Sequence, residues 1–472
     1  MCTLGPAEKS LSDIIALARA GMDCARINFS HGTLVEHENK IQMVRAAESR
    51  LDLYIPVMQD LPGPKLRVGI LRNDSVFIKK GASVVLDTLH DNQVSSDEIP
   101  IKYRSLENYV SPGTTIFMAD GSIKLEVISV ETGKIKCKCI VGGVLESEKG
   151  VNIPTLAADF NTFTESDENF LRFGIKKGVD LVAVSFVRSA NDILIVRKRA
   201  NEFGGNPMII AKIEKKDAVY SIEDISIKSD AVMVARGDLG VENPIEEVPI
   251  IQKKIIMVCR RNGVPVITAT QMLESMVNNP TPTRAEVTDI ANAILDGTDA
   301  LMLSEETAIG SYPVECVRVL NKVSILTEMN MQRGMLPDDK VTPDNLIDAL
   351  SRGANTLAND MHAKLLVSLN DSVPMVARIA RFRPRAPIIC ITSTIQQARK
   401  LRIVWGVFPE ILKLSDPIHR LGSAVALLSK EWSLKEKERM IIVSSDISLS
   451  KHEGELIFVA QAKGDGGNKN KG

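Results

Sequence analysis

IIAKIEKKDAV, residues 209–219, opens as an apolar run and then places Lys212 and Glu214 where that run ends. Side chains alternate along a strand, so Ile210, Lys212 and Glu214 fall on one face and Ala211 and Ile213 on the other. On its own the stretch has two readings. One is a salt bridge at a sheet rim, the usual fate of neighbouring opposite charges; the other is a cation and a metal-ligating carboxylate aimed into one site. The organisation of the rest of the chain decides between them.

Outward from this strand, further short apolar runs close on polar or small residues: CARINFS, IPVMQDL, DLVAVSF, AVMVARGDL, VPVITAT and ALMLSEET. With the opening strand and the stub CTLG at the start they make eight. Helical patterns such as SLSDIIALARAGM, ANDILIVRKRANEFG and VPIIQKKIIMVCRRNG separate them, and Gly21, Gly174, Gly204, Gly263 and Gly297 read as helix C-termini. Strands alternating with helices in this way predict an α/β fold, a closed parallel (β/α)8 barrel, with an open doubly wound sheet as the alternative. In such a barrel the C-terminal strand ends share one rim. Here they carry Asn28, Asp60, Lys212, Glu214, Asp238, Thr270 and Glu305.

The alternation breaks over residues 69–152, which read as β-rich: VFIKKGASVVLD, TTIFMADGS, IKLEVISV and KIKCKCIV between Gly, Asn and Asp turns. A β-barrel-like domain inserted there rises from the catalytic rim, either as a lid that excludes water or as a passive module. After residue 330 the linker GMLPDDKVTPDN leads into strands AKLLVSL, PIICITS, EILKL, MIIVSS and LIFVAQ among helices, a second α/β domain. The tail AKGDGGNKNKG is too poor in apolar residues to pack. The expected division is a barrel over 1–68 and 153–330, a lid over 69–152 and a C-terminal α/β domain over 331–472.

Composition narrows the function. Across 472 residues, 44% hydrophobic and 25% charged content is that of a globular enzyme, and a net charge of -1 gives no global pull toward nucleic acid or an anionic membrane. An anionic ligand must be held by local charge. No run approaches the roughly 18 apolar residues of a membrane span, and MCTLGPAEKS has no signal-peptide pattern, so the chain reads as cytoplasmic. Seven cysteines scattered singly read as buried free thiols, with Cys137 and Cys139 alternating as strand residues do. Six histidines without a pair at ligand spacing argue against a histidine-held metal.

The rim residues carry the chemistry. In ARGDLGVENP, residues 235–244, a strand ends in a glycine-flanked turn whose backbone N–H groups a ligand can approach. Asp238 there completes a pair of oxygen ligands with Glu214, the arrangement hard magnesium favours; the bland reading is a turn or helix cap. Arg26, with Asn28 and Ser30 on its strand face, offers a guanidinium to phosphate, and DLPGPKLR adds Asp60, Lys65 and Arg67. Each cation alone reads as a surface charge. Together, with carboxylates between them, they read as the seat of a phosphorylated anion bridged by metal. Thr270 offers a hydroxyl to a substrate carboxylate or a proton path, or else caps the next helix. His31 lies beside Ser30, where it can touch a nucleotide.

The chain resembles the pyruvate kinases. IIAKIEKKDAV is similar to that family's signature, and CTLGPA, ARINFSHG, MVARGDLGVE, ATQMLESM, PTRAEVTDIANAILDGTDALMLSEETAIGSYPVE and RFRPRAPI match further family segments in the family's order. The resemblance implies transfer of phosphate from phosphoenolpyruvate to ADP, giving pyruvate and ATP through a metal-stabilised enolate, in a homotetramer. It implies that Glu214 and Asp238 hold Mg2+ or Mn2+. Arg26 and Lys212 then contact the phosphoryl group, Gly237, Asp238 and Thr270 the substrate carboxylate, and Arg67, Lys149 and His31 the nucleotide side. A different phosphoenolpyruvate-using barrel, such as a lyase or mutase, needs neither lid nor C-terminal domain. A catalytically silent scaffold needs none of the rim residues.

Three departures from the family pattern stand out. The first strand is nearly absent, so either the sequence is cut or a short strand suffices. The effector loop SLNDSVPM keeps Ser372 but has Val373 in place of a glycine and Met375 in place of a hydroxyl, which speaks against fructose bisphosphate and leaves another phosphorylated effector open. The family's monovalent-cation site is matched by Asn28, Ser30 and Asp60, but its threonine is Leu61 and its glutamate is Lys65, so K+ is expected not to be required.

Overall fold

The computed structural model of the chain describes residues 1–472 except 65, 120, 154–161, 332–345, 413–416, 450–451 and 463–472. Lys65, the linker at 334–345 and nearly all of the C-terminal tail therefore lie outside the described residues.

Eight parallel strands, Cys2–Thr3, Ala25–Asn28, Val57–Asp60, Leu181–Val184, Met208–Ile213, Ala231–Ala235, Val266–Ala269 and Ala300–Met302, form one sheet in sequence order. The sheet closes on itself. Thr3 N–H donates to the Leu303 carbonyl at 3.0 Å, and Leu303 N–H donates to the Met1 carbonyl at 3.0 Å. The CTLG stub thus supplies a strand of two residues that pairs with Ala25–Arg26 on one side and meets Leu303 on the other.

These strands read as continuous apolar runs because helices cover the outside while side chains fill the inside. Met58, Ala183, Ile210, Met233 and Ile267 pack in one cluster, whereas Val57, Val182, Ile209, Ala211, Ile213, Val232 and Val266 pack with the helices in another. The alternation expected around Lys212 is therefore present. Asp60, Ser185 and Lys212 each stand two residues beyond an inward member, Met58, Ala183 and Ile210, and so point into the mouth of the barrel.

Gly21, Gly263 and Gly297 close their helices as expected, and Gly204 follows the helix Ala190–Glu202 and its C-cap Phe203. Gly174 does not. It lies inside the helix Glu165–Lys177, which ends at Gly178, and a Cβ at 174 would sit 2.1 Å from Gln59 Oε1. Glycine there permits close helix–strand contact rather than a stop. The turn expected at Arg236–Glu242 is likewise a helix, leaving the strand directly with Asp238 in its first turn, where an acid suits the helix dipole.

The insertion is a seven-stranded sheet that begins at Leu66–Arg67 and returns through Gly150–Asn152, with a separate two-stranded ribbon, Ser75–Ile78 with Gly143–Glu146. Its core is built by alternation; Ile135, Cys137 and Cys139 of KIKCKCIV are buried while Lys134, Lys136 and Lys138 are exposed. The C-terminal region carries a five-stranded sheet in the order Val407–Ile411, Ile388–Thr392, Leu365–Ser368, Arg439–Leu449, His452–Gln461, parallel except for the last. Arginines fasten it beneath the barrel. Arg383 reaches Asp299 at 2.9 Å, Arg381 the Arg261 carbonyl at 2.6 Å, and Arg399 Glu48 at 2.8 Å. Residue 299 precedes the last barrel strand, so this contact lies at the end opposite the rim. All seven cysteines are free and buried. Among the described residues no helix is long and apolar enough to cross a membrane.

Candidate active site

The rim of the barrel gathers its charges into one network. Arg26 donates from Nε to Asp60 Oδ2 at 2.8 Å and from Nη1 to Thr3 Oγ1 at 2.8 Å. Lys212 Nζ lies 3.2 Å from Asp60 Oδ1 and 2.8 Å from Glu214 Oε1, and it donates to Ser185 Oγ at 2.7 Å. Asp60 and Glu214 are each 1% exposed, and Arg26 and Lys212 each 9%. Lys212 and Glu214 therefore belong to a buried polar cluster and not to a solvated rim pair.

Burial sets the proton affinities and the partners decide their direction. Desolvation alone would lower the Lys212 ammonium, but Asp60 and Glu214 outweigh it and hold the lysine well above its ordinary value. Desolvation alone would raise Asp60, but Lys212 and Arg26 hold it below the usual carboxylate range. Glu214 goes the other way: burial and the neighbouring Asp238 raise it, and Lys212 only partly offsets them. Two cations face three carboxylates, so the cluster carries an excess negative charge.

That excess bears on a metal. Glu214 Oε1 is buried and faces the Lys212 ammonium at 2.8 Å, while Oε2 accepts the Phe186 N–H at 2.9 Å. A carboxylate oriented by a backbone N–H, with the second carboxylate of Asp238 interacting with it, has the oxygen chemistry a hard divalent cation favours. Among the described residues no three acidic, His or Cys side chains converge as a metal cluster.

Thr270 and Gly237 meet on the same rim. Thr270 Oγ1 accepts the Gly237 N–H at 2.9 Å and donates to the Ala269 carbonyl at 2.7 Å. Thr270 does not cap a following helix. Its φ of 67° and that of Gln271 at 54° are left-handed, a conformation that costs non-glycine residues energy and persists only where the surroundings impose it. Arg236 imposes it here. Its guanidinium donates to the Thr270 carbonyl at 2.6 Å, to the Gln271 carbonyl at 3.2 Å and to Asp289 at 2.6 Å.

The remaining expected residues stand apart from this network. Arg67 is half-buried at the root of the lid and donates to the Glu148 carbonyl at 2.8 Å. Lys149 is half-buried and paired with Glu146 at 3.2 Å, and His31 is exposed on the loop after Asn28. Asn28 Oδ1 accepts the Ser30 N–H at 3.1 Å. Thr3, Ser185, Phe186 and Arg236, which hold the expected residues in place, were not expected. Ser185 and Phe186 close the run DLVAVSF, and their position at a strand end is the one signal that marks them.

Known proteins share this organisation. A family model described as pyruvate kinase, barrel domain, matches residues 1–317, and one described as pyruvate kinase, alpha/beta domain, matches residues 348–454. The pyruvate kinase of Geobacillus stearothermophilus is 41% identical over 413 residues, 86% of this chain and 70% of that one. Pyruvate kinase 2 of Synechocystis sp. is 38% identical over 469 residues, covering 98% and 79%. That of Clostridium acetobutylicum is 38% identical over 448 residues, covering 94% and 95%.

Proposed function

Because this chain belongs to the pyruvate kinase family, we infer that the buried network at the barrel mouth is where it transfers the phosphoryl group of phosphoenolpyruvate to ADP. The reaction itself, giving pyruvate and ATP, is that of the family. The observation that supports the placement is the buried Lys212 held between the buried carboxylates of Asp60 and Glu214.

In this reading Glu214 and Asp238 hold the divalent cation, Mg2+ or Mn2+. When bound, that ion neutralises phosphoryl oxygens and the enolate oxygen left behind. Arg26 and Lys212 take the phosphoryl group between them. Both are already oriented, Arg26 by Asp60 and Thr3 and Lys212 by Asp60 and Ser185, so little reorganisation accompanies charge development in the transition state. The raised proton affinity of Lys212 keeps it an ammonium at neutral pH, an electrostatic stabiliser and not a base. The Gly237 and Asp238 N–H groups and the Thr270 hydroxyl receive the substrate carboxylate; Thr270 exchanges its bond to the Ala269 carbonyl for one to substrate. Protonation of the enolate carbon is assigned to water near Thr270. Arg67, Lys149 and His31 face the nucleotide when the lid closes.

The same reading takes the lid as 69–152, the barrel as 1–68 and 153–330, the regulatory domain as 331–472, and the assembly as a cytoplasmic homotetramer. In the effector loop Val373 and Met375 are buried, Ser372 N–H is bound to Asn370 Oδ1 at 2.9 Å, and the Asp371 carboxylate accepts from Thr392 at 2.7 Å. A loop closed on itself around a carboxylate supports the absence of fructose bisphosphate activation. A coupled assay of ADP-dependent pyruvate formation, with and without candidate phosphorylated effectors, tests both statements. Pyruvate released without ADP consumption would overturn the first, and a manyfold activation by fructose bisphosphate the second.

A further inference from the structure

Lys215 follows the metal carboxylate Glu214, yet its side chain leaves the network and crosses to the root of the lid. It is 19% exposed and joins three separate elements. Its ammonium is ion-paired with Glu242, whose carboxylate is 3% exposed and which stands one helical turn beyond Asp238 on the helix Arg236–Glu242. It donates to Asn152 Oδ1 at 3.2 Å, on the segment Gly150–Asn152 by which the lid returns to the barrel. It also lies over the Phe186 ring, 5.5 Å from the centroid.

Phe186 is the connection to Glu214. Its φ is 56°, left-handed for a bulky residue, and this conformation directs its N–H at Glu214 Oε2. The outgoing root of the lid presses on the same ring. A Cβ at Gly63, itself at φ 65°, would stand 2.8 Å from Phe186 Cδ2. Both connections of the lid therefore converge on Phe186 and Lys215, and through them on the supports of Glu214 and Asp238.

We propose that Lys215 is a positioning residue that ties the seat of the lid to both metal-binding carboxylates, through Phe186 to Glu214 and through Glu242 to Asp238. The proposal rests on the assignment of Glu214 and Asp238 above. It makes affinity for the divalent ion depend on a side chain that does not ligate it, as supporting partners of metal ligands do elsewhere.

The test is Mn2+ binding to the full-length protein without substrates, read from the paramagnetic signal of the free ion, together with kcat and KM. Lys215→Met is expected to weaken Mn2+ binding roughly tenfold, and Lys215→Arg, which keeps the cation and its reach, to restore most of that loss. Gly63→Ala, which pushes the Phe186 ring by a different route, is expected to weaken binding as well and serves where Lys215→Met fails to fold. Glu214→Gln separates the two ideas. If it binds Mn2+ like the parent, the site assignment falls. If it loses binding while Lys215→Met and Gly63→Ala keep the parent's affinity, or if Lys215→Arg is no better than Lys215→Met, the positioning role falls.

Discussion

The Lys212 ammonium lies 2.8 Å from Glu214 Oε1, an ion pair between two buried side chains. It also donates to Ser185 at 2.7 Å and pairs with Asp60 at 3.2 Å, so three partners hold the lysine in one place at the barrel mouth. Charge at Lys212 matters most as the phosphoryl group loosens, when it differs between ground and transition state. Lys212→Met is therefore expected to lower kcat by about 10³-fold or more while phosphoenolpyruvate and Mn2+ still bind. Single-turnover kinetics with separate binding titrations check this. A kcat within about tenfold of the parent would remove the lysine from the chemistry.

Arg236 yields a second expectation. Its guanidinium collects the carbonyls of Thr270 and Gln271, two consecutive left-handed residues whose strain is of order 1–3 kcal/mol each. Arg236→Ala releases that turn and moves the Thr270 hydroxyl from Gly237. The KM for phosphoenolpyruvate is expected to rise about tenfold or more with the KM for ADP nearly unchanged. Arg236→Lys, which cannot span several carbonyls with a planar fork, is expected to rescue only in part. Equal rises in both KM values would point to general loosening instead.

Much of this was legible in the chain because barrel strands buried on both faces are continuous apolar runs, and a lysine and a glutamate at the end of such a run are conspicuous. Lys212, Glu214, Asp60 and Arg26 were visible for that reason. Their supports were not. Ser185 and Phe186 act from a neighbouring strand, and the left-handed backbone of Phe186 and Thr270 follows from tertiary packing that local propensity opposes. Arg236 reads as one more surface cation until its reach to residues 270–289 is seen. Gly174 misleads for the converse reason: a glycine in a helical pattern looks like a stop, but here it makes room for Gln59.

Glu8 predicts a pH dependence of stability. It is 2% exposed, Oε2 accepts the Gly5 N–H at 2.8 Å, and no hydrogen bond is directed at Oε1. Lys40 spends its ammonium on the carbonyls of Gly5 and Glu8, and Asp13 adds a like charge. Burial, only partly offset by the Gly5 N–H and Lys40, pushes the carboxyl up from 4.5 to about 7. Between those values the folded chain holds a proton that the unfolded chain has released, so stability falls as pH rises through that window, by about 3 kcal/mol. Glu8→Gln cannot titrate and is expected to flatten the decline in Tm from about pH 5 to about pH 8. An unchanged slope in thermal melts would assign the decline to other groups.

The last expectation concerns potassium. Asn28, Ser30 and Asp60 match positions of the family's monovalent site, but the threonine position is Leu61 and the glutamate position Lys65. Both Asp60 oxygens are already engaged, Oδ2 by Arg26 and Oδ1 by Lys212, and Asn28 Oδ1 accepts the Ser30 N–H. Leu61 is 1% exposed, its N–H bound to the Ala183 carbonyl at 3.0 Å, and its side chain has no oxygen to give. Lys65 lies outside the described residues; the expectation is that its ammonium supplies the charge a monovalent cation otherwise contributes and repels a second one where the effective dielectric is low. Turnover is therefore expected in buffers free of sodium and potassium, with organic counterions, at a rate that added potassium changes little. Lys65→Glu is expected to make the enzyme depend on potassium. A manyfold rise in kcat when potassium is added to the unmutated protein would show that three side chains and backbone carbonyls suffice for the site, and that Lys65 is turned away from it.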